Sequence, residues 1–448
     1  MKAQELISKL SAPSADAVFA RLYGVSAVPA ARQRYLALAA ETVAAFPETA
    51  DDLRVFTAAG RTELGGNHTD HNHGKVLAAS IQLDAVAFAS ARSDSTVVFR
   101  SPRYPDVVVD LDELQPRPAE EGTTEALVRG IAAGFAERGI KLRGFTANAV
   151  STVLSGSGLS SSAAIEVLIG TIFNGLYAGG KLGAVELARI GQKAENVYFG
   201  KPCGLMDQVA CASGGAVAID FADPERPLVR NVDFDLEAAG WALCVVDSGG
   251  NHADLTSEYA AVPAEMKAVA RALGAEVLRG IDRATLIAKT PSLRAATGDR
   301  ALLRAFHFLA ENERVDGMLD ALERANSAGP DAAVRNAAVR DFLRLVAASG
   351  ESSWRLLQNV STPKLPGDQG VALALALTEE FLRAECASDD GGVRGVCRVH
   401  GGGFAGTIQA YIPIGKVADY VRWMGGAFGE KAVTPLRIRP VGAAELRF

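Results

Sequence analysis

The stretch Val153–Ile165, VLSGSGLSSSAAI, decides how the rest of the chain is read. It follows a strand-like run, Phe145 to Val153. It leads into a segment where Leu168, Ile169, Ile172, Phe173 and Leu176 recur at helical spacing. Two glycines and three consecutive serines therefore stand where a strand passes to a helix N-terminus. Such a junction offers unpaired backbone N–H groups and the positive end of the helix dipole, which suits a phosphate. Gly156 and Gly158 allow close backbone approach. Ser160, Ser161 and Ser162 add hydroxyls for phosphate oxygens or a magnesium ion. Two other glycine loops fit less well. G-x-x-x-x-G-K-[ST] has no match, and G-x-G-x-x-G lacks its third glycine, which is Ser161 here.

At 448 residues the chain is long enough for two domains with substantial cores. Apolar residues make up 48% and charged ones 22%, an ordinary globular balance. A net charge of −6 gives no electrostatic case for nucleic acid. No apolar run approaches the ~20 residues of a membrane span, and the first residues lack the apolar core of a signal peptide. The five cysteines are odd in number, contain no C-x-x-C pair and lie in apolar contexts. They read as reduced, buried thiols of a cytoplasmic protein, and a monomer is expected.

Residues 1–50 read as helical, and Arg54 to Ala59 as a strand entering a polar turn. Strands and helices are expected to alternate from there to about Phe221, including a helix at Thr124–Arg138. Trp241–Asp247 (WALCVVD) opens a second strand-rich start. Long helices follow at Pro263–Leu273 and Arg300–Ser327, then strand-like Cys397–Ile412 and a final strand at Leu436–Pro440. This pattern places a domain boundary near residue 240, giving residues 1–240 and 241–448.

Two further clusters stand out. Gly60–Gly74, GRTELGGNHTDHNHG, packs an arginine, a glutamate, an aspartate and three histidines between apolar runs. His68, His71 and His73 with Asp70 invite a zinc reading, but their spacing is not that of a helical zinc site. His400–Thr407, HGGGFAGT, is a glycine turn between strands and by itself carries no function.

Taken together, and in this order, the three motifs resemble those of the GHMP small-molecule kinases, and within them the galactokinases. The family signature GRVNLIGEHTDYN is met by GRTELGGNHTDHN at Gly60–Asn72, G-L-S-S-S-A stands unaltered at Gly158–Ala163, and GGGFGG is met by GGGFAG at Gly401–Gly406. AENVYFGKPCGLMDQ at Ala194–Gln208 is similar to AEHxFxGxPCGIMDQ. The resemblance implies a two-domain α/β (α+β) kinase fold. An N-terminal mixed domain and a C-terminal ferredoxin-like antiparallel sheet with helices would place the active site in the cleft between them. It implies ATP and Mg2+ as cofactors and a small sugar as substrate, with the phosphoryl group passing to the anomeric hydroxyl.

By the same resemblance Asp207 is the base and Arg61 its charge partner. Gly156, Ser157, Gly158, Leu159, Ser160, Ser161 and Ser162 hold ATP, and Ser162 and Glu195 hold magnesium. Asn67, His68, Asp70, Gly204 and Tyr259 contact the sugar. From the residues alone, Asp207 could be a helix cap or a surface group. Its flanks CGLM and QVAC bury it, and an unpaired buried carboxylate is costly. The chain departs from the family where N-L-I-G-E becomes E-L-G-G-N at Glu63–Asn67. That exchange leaves galactose, galacturonate or arabinose open as the substrate, with Asn67 expected at the sugar's carbon-6 end. Glu63 is expected to anchor the loop through backbone amides or Arg61. A non-catalytic sugar and ATP sensor is the alternative class. The presence of Arg61, Ser162, Ala163 and Asp207 argues against it.

Overall fold

The computed structural model describes residues 1–102, 104–153, 158–233, 235–250, 255–387 and 394–448. Among these, twelve strands form two sheets. The first sheet holds β1 (Arg54–Gly65), β2 (Lys75–Ala91), β3 (Thr96–Arg100), β4 (Val107–Asp110), β5 (Phe145–Ser151), β6 (Ala216–Asp220) and β7 (Leu228–Val232). The second is built from β8 (Trp241–Asp247), β9 (Val396–Val399), β10 (Thr407–Pro413) and β11 (Val433–Leu436). The last strand, β12 (Ala444–Leu446), returns to pair with β1.

Strand β2 organises the first sheet. Its Ala85–Ala91 end pairs with β5 and its Lys75–Ala79 end with β6, while β1 runs along its other edge. All pairings are antiparallel except β3 with β5. Alternate residues face opposite sides of a strand. Val86 and Phe88 therefore pack with Phe19, Leu22, Tyr35 and Leu38 from the N-terminal helices. Ala85, Ala87 and Ala89 pack on the other side with Val167, Leu168 and Ile172 of the helix Ser161–Tyr177. A strand covered on both faces is mostly apolar, and most of β2 is buried, with polar Ser80, Asp84 and Ser90 among its buried residues.

The second sheet is antiparallel in the order β11-β8-β10-β9. The same alternation puts Cys244 and Val246 against Phe381 and Tyr420, and Leu243 and Val245 toward Phe342 and Val346. Helices therefore lie on both of its faces. Together the two sheets make the two-domain α/β architecture of mixed sheet and helices.

Several expectations shift. Strand β1 does not end at Ala59; it runs on through Gly65, so half of the polar motif is buried strand. Strands β1 to β4 follow one another with no α-helix between them, only a single 3-10 turn at Asp70–Asn72, so the expected alternation fails in that stretch. The expected final strand at Leu436–Pro440 is met only at Leu436, the last residue of β11. Only Ile438 bridges to Ile81 there, and the true last strand is β12. No described helix is long and apolar enough to cross a membrane, and the five cysteines carry free thiols.

One buried charge cluster joins the ends of the chain to the first sheet. Asp84, in β2 and wholly buried, accepts from Tyr23 at 2.6 Å, Thr57 at 2.8 Å, Arg34 at 2.7 Å and Arg439 at 2.6 Å. Burial alone would raise its pKa, but Arg34 and Arg439 hold it below the usual value. The stability this supplies is present above the unfolded carboxyl pKa and is lost as pH falls through the lowered folded one. Asp84→Ala leaves Arg439 buried without its anion, and should lower the free energy of urea unfolding by about 3–5 kcal/mol. Asp299→Ala, which breaks a surface pair with Arg294, should leave the unfolding midpoint nearly unchanged.

Candidate functional site

Strand β1 carries Arg61 into the interior with its side chain only 7% exposed. Its guanidinium forks onto Asp207, Nε donating to Oδ1 and Nη2 to Oδ2, both at 2.7 Å. Its remaining amine, Nη1, donates to the carbonyl of Gly158. Asp207 stands in the first turn of the helix Met206–Ser213 and also accepts from the Ser160 hydroxyl. The Asp207 side chain is 32% exposed, so a reactant can reach it. Burial works to raise its pKa, but Arg61 and Ser160 outweigh that and hold the carboxyl below its usual range.

The helix Ser161–Tyr177 begins beside this pair. Ser160 precedes it in the left-handed region (φ 59°) and gives its hydroxyl to Asp207, so it does not cap the helix. The first-turn N–H groups of that helix have no side-chain cap. Gly158, Leu159 and Ser160 thus bond to Arg61 or Asp207, and Ser161 and Ser162 follow in the first turn of the helix. Gly156 and Ser157 lie outside the described residues.

Ser162 Oγ is 3.4 Å from Glu195 Oε1, and Lys201 Nζ lies 2.8 Å from the same oxygen. A hydroxyl and a carboxylate side by side are hard oxygen donors that fit magnesium, which takes its other ligands from phosphate and water. Glu195's second oxygen accepts from Gln208 Nε2 at 3.0 Å, and that same nitrogen donates to Glu166 at 3.0 Å. Burial, and then Glu195, push the Glu166 carboxyl up.

Asp70 and Gly204 meet directly. A Cβ on Gly204 would fall 1.7 Å from Asp70 Oδ2, so only glycine leaves that carboxylate its place. The turn Gly401–Gly403 closes the other side. Its three carbonyls accept in succession from Asn67 Nδ2 at 2.7 Å, His68 Nε2 at 2.9 Å and the Tyr259 hydroxyl at 2.9 Å. A carbonyl can only accept, so His68 carries its proton on Nε2 and presents Nδ1 as an acceptor. Burial lowers the His68 pKa to about 4, so the ring is neutral at pH 7. His68, Ser160 and Phe404, one in each motif, all have positive φ (57°, 59° and 61°). Each costs roughly 1–2 kcal/mol for a residue with a side chain, which is the kind of strain that surrounding structure must hold in place.

Asn67 has no free amide group. It is 1% exposed and its amide is engaged on both ends. Oδ1 accepts from Asn359 at 3.0 Å, and Nδ2 reaches Glu63 at 3.3 Å besides Gly401. Nor does Glu63 pair with Arg61; it forms a buried ion pair with Arg398 of β9. Among the described residues no three His, Cys, Asp or Glu side chains converge to hold a metal ion, and the His68 ring is occupied by Gly402.

Sequence reading missed Glu166, Lys201, Gln208, Asn359 and Arg398. Lys201 and Gln208 lie inside the Ala194–Gln208 stretch, whose density of polar residues was the available signal. Glu166 sits among apolar residues and gave none, Asn359 lies in an ordinary polar stretch (QNVST), and Arg398 stands two residues before the glycine motif without matching it.

The chain matches two family descriptions. They are "Galactokinase galactose-binding signature" over residues 43–91 and "GHMP kinases N terminal domain" over residues 126–215. It is 36% identical to a galactokinase of Streptomyces coelicolor over 296 residues, 65% of this chain and 75% of that protein. It is 31% identical to a galactokinase of Mycobacterium tuberculosis over 402 residues, 88% and 99% of the two chains. The fold is similar to that of Lactococcus lactis galactokinase complexed with galactose, with a TM-score of 0.72, 23% identity and coverage of 92% and 99%. It is more distantly similar to a mevalonate kinase, with a TM-score of 0.57, 15% identity and coverage of 86% and 98%. The fold and these matches define an ATP-dependent sugar kinase of the GHMP class. Within that class the chain belongs to the galactokinase family.

The engaged amide of Asn67 yields a test. Asn67→Glu sets a second carboxylate beside buried Glu63, and should lower the free energy of urea unfolding by about 3 kcal/mol. Glu63→Asn combined with Asn67→Glu restores a single carboxylate and should recover much of the loss. An unchanged midpoint in the single variant would show that the two side chains are not coupled.

Proposed function

We propose that this protein transfers the γ-phosphoryl group of ATP to the anomeric hydroxyl of galactose. The observation that carries the reading is the fork of Arg61 onto a reachable Asp207 beside an uncapped helix start. Asp207 accepts the hydroxyl proton. Its lowered pKa keeps it ionised and ready, at a cost in basicity. A loose phosphoryl-transfer transition state asks for positioning and charge compensation more than for a strong base. Arg61 supplies part of that compensation and fixes the carboxylate's direction.

Gly156 to Ser162 hold the ATP phosphates, with Ser162 and Glu195 as the residues that hold magnesium. When bound, magnesium offsets the charge of the phosphate oxygens. His68, Asp70, Gly204 and Tyr259 form the sugar side. Asn67 serves it through the loop it holds rather than through its own amide. The galactose-binding signature over residues 43–91 supports galactose above galacturonate or arabinose. Arg61, Asp207 and Ser162 standing together support a kinase above a silent sensor. We take residues 1–240 and 241–448 as the two kinase domains. The start of the second sheet at Trp241 supports this division, and β12 crosses back to the first.

An ADP-release assay over galactose, galacturonate and arabinose should give the highest kcat/KM for galactose. Asp207→Asn should lower kcat by about 10²–10⁴-fold. Arg61→Ala should lower it as well, through lost transition-state stabilisation. A near-wild-type kcat in Asp207→Asn, or no ADP release with any aldose, would overturn the reading.

A further inference from the structure

Glu166 is 1% exposed, and its Oε1 has no hydrogen-bond partner among the described residues. An unmet buried polar atom is destabilising, and a leucine or methionine in the same space would avoid that cost. Its other oxygen accepts from Gln208 Nε2 at 3.0 Å. An amide nitrogen has two hydrogens. The second goes to Glu195 Oε2, also at 3.0 Å. Gln208 is fully buried and directly follows Asp207 in the chain. Glu166 lies four residues after Ser162 in the helix Ser161–Tyr177, so both project from one helix face.

One helix therefore fixes the Glu195 carboxylate at both ends. Ser162 stands 3.4 Å from Oε1, and Glu166 secures Oε2 at one remove, through the Gln208 amide. We propose that Glu166 is a positioning residue: it anchors Gln208 so that Glu195 keeps one oxygen turned inward and presents the other beside Ser162 for the metal. The proposal rests on the reading of Glu195 as a magnesium-holding residue. Without the Glu166 acceptor, the Gln208 amide loses one of its two carboxylate anchors and keeps only Glu195 and a longer contact to Cys203 Sγ at 3.6 Å. The inner oxygen of Glu195 then loses its fixed donor.

The test is direct binding of Mn2+, a spectroscopic stand-in for magnesium, to the full-length protein loaded with ADP. Free Mn2+ is read by electron paramagnetic resonance, and galactose affinity is measured alongside by calorimetry. Glu166→Met should weaken Mn2+ binding by about tenfold or more, while Glu166→Gln, which keeps the acceptor, should stay within about threefold of wild type, and galactose affinity should change by about twofold or less in both. Gln208→Met removes the shared donor and should reproduce the Glu166→Met loss, which keeps the test decisive if Glu166→Met does not fold. Wild-type Mn2+ affinity in either methionine variant would overturn the proposal. So would an equal loss of galactose affinity, which marks general damage. Glu195→Gln separates the two levels. If it too leaves Mn2+ binding unchanged, the reading of Glu195 fails. If it weakens binding while the methionine variants do not, only the role of Glu166 fails.

Discussion

The ion pair between Arg61 and Asp207 is the constraint on which the site is built. A buried guanidinium demands an anion, and a carboxylate this close to the interior demands a cation. Each supplies the other's need, and the fork of two parallel bonds fixes direction as well as distance. Arg61 is held by the long strand β1, and Asp207 by the first turn of a short helix. The third hydrogen bond of the guanidinium, to Gly158, brings the serine-rich turn against the same pair. Three segments distant in sequence are thus gathered around one charge pair.

A second set of bonds draws the other sheet in. The glycine turn between β9 and β10 offers three carbonyls to Asn67, His68 and Tyr259. The turn must be glycine because the approach is close: a Cβ on Gly402 would fall 2.5 Å from the Tyr259 ring, and one on Gly403 would fall 2.1 Å from Asn359. Beside it, Arg398 of β9 pairs with Glu63 of β1, and Gln409 of β10 donates to Thr62 at 2.8 Å. Polar side chains inside β1 thus serve as the seam between the two sheets. The exchange of glutamate and asparagine at Glu63 and Asn67 belongs to this seam. Both groups are satisfied there, the carboxylate by Arg398 and the amide by Asn359 and Gly401.

Sequence pattern located the elements whose partners are solvent or a uniform apolar layer. Trp241–Asp247 was legible as a strand because its apolar run is continuous, and the helix from Ser161 because its stripe repeats at 3.6 residues. The continuation of β1 through Arg61, Thr62 and Glu63 was not legible. Polar residues read as loop unless their partners are known, and most of these partners lie 97 to 347 residues away. The short strand β12 escaped for lack of any pattern in three residues. Within the site, motifs drew attention to Arg61, Ser162, Glu195 and Asp207, and the structure brings them together. Glu166 was silent because a lone polar residue among apolar neighbours has the same sequence appearance whether it packs or positions, and Asn359 because it stands in a polar stretch that reads as loop.

The central claim is that Arg61 holds Asp207 ionised in a place that would otherwise favour its neutral form. Carbon-13 titration of the aspartate carboxyls tests it, with Asp207 assigned by its absence from Asp207→Asn. In the wild-type protein the Asp207 signal should titrate below the usual aspartate range, since Arg61 and Ser160 outweigh burial. In Arg61→Ala, with burial no longer opposed by the guanidinium, the midpoint should move upward. An Asp207 midpoint that is the same with and without Arg61 would contradict the account.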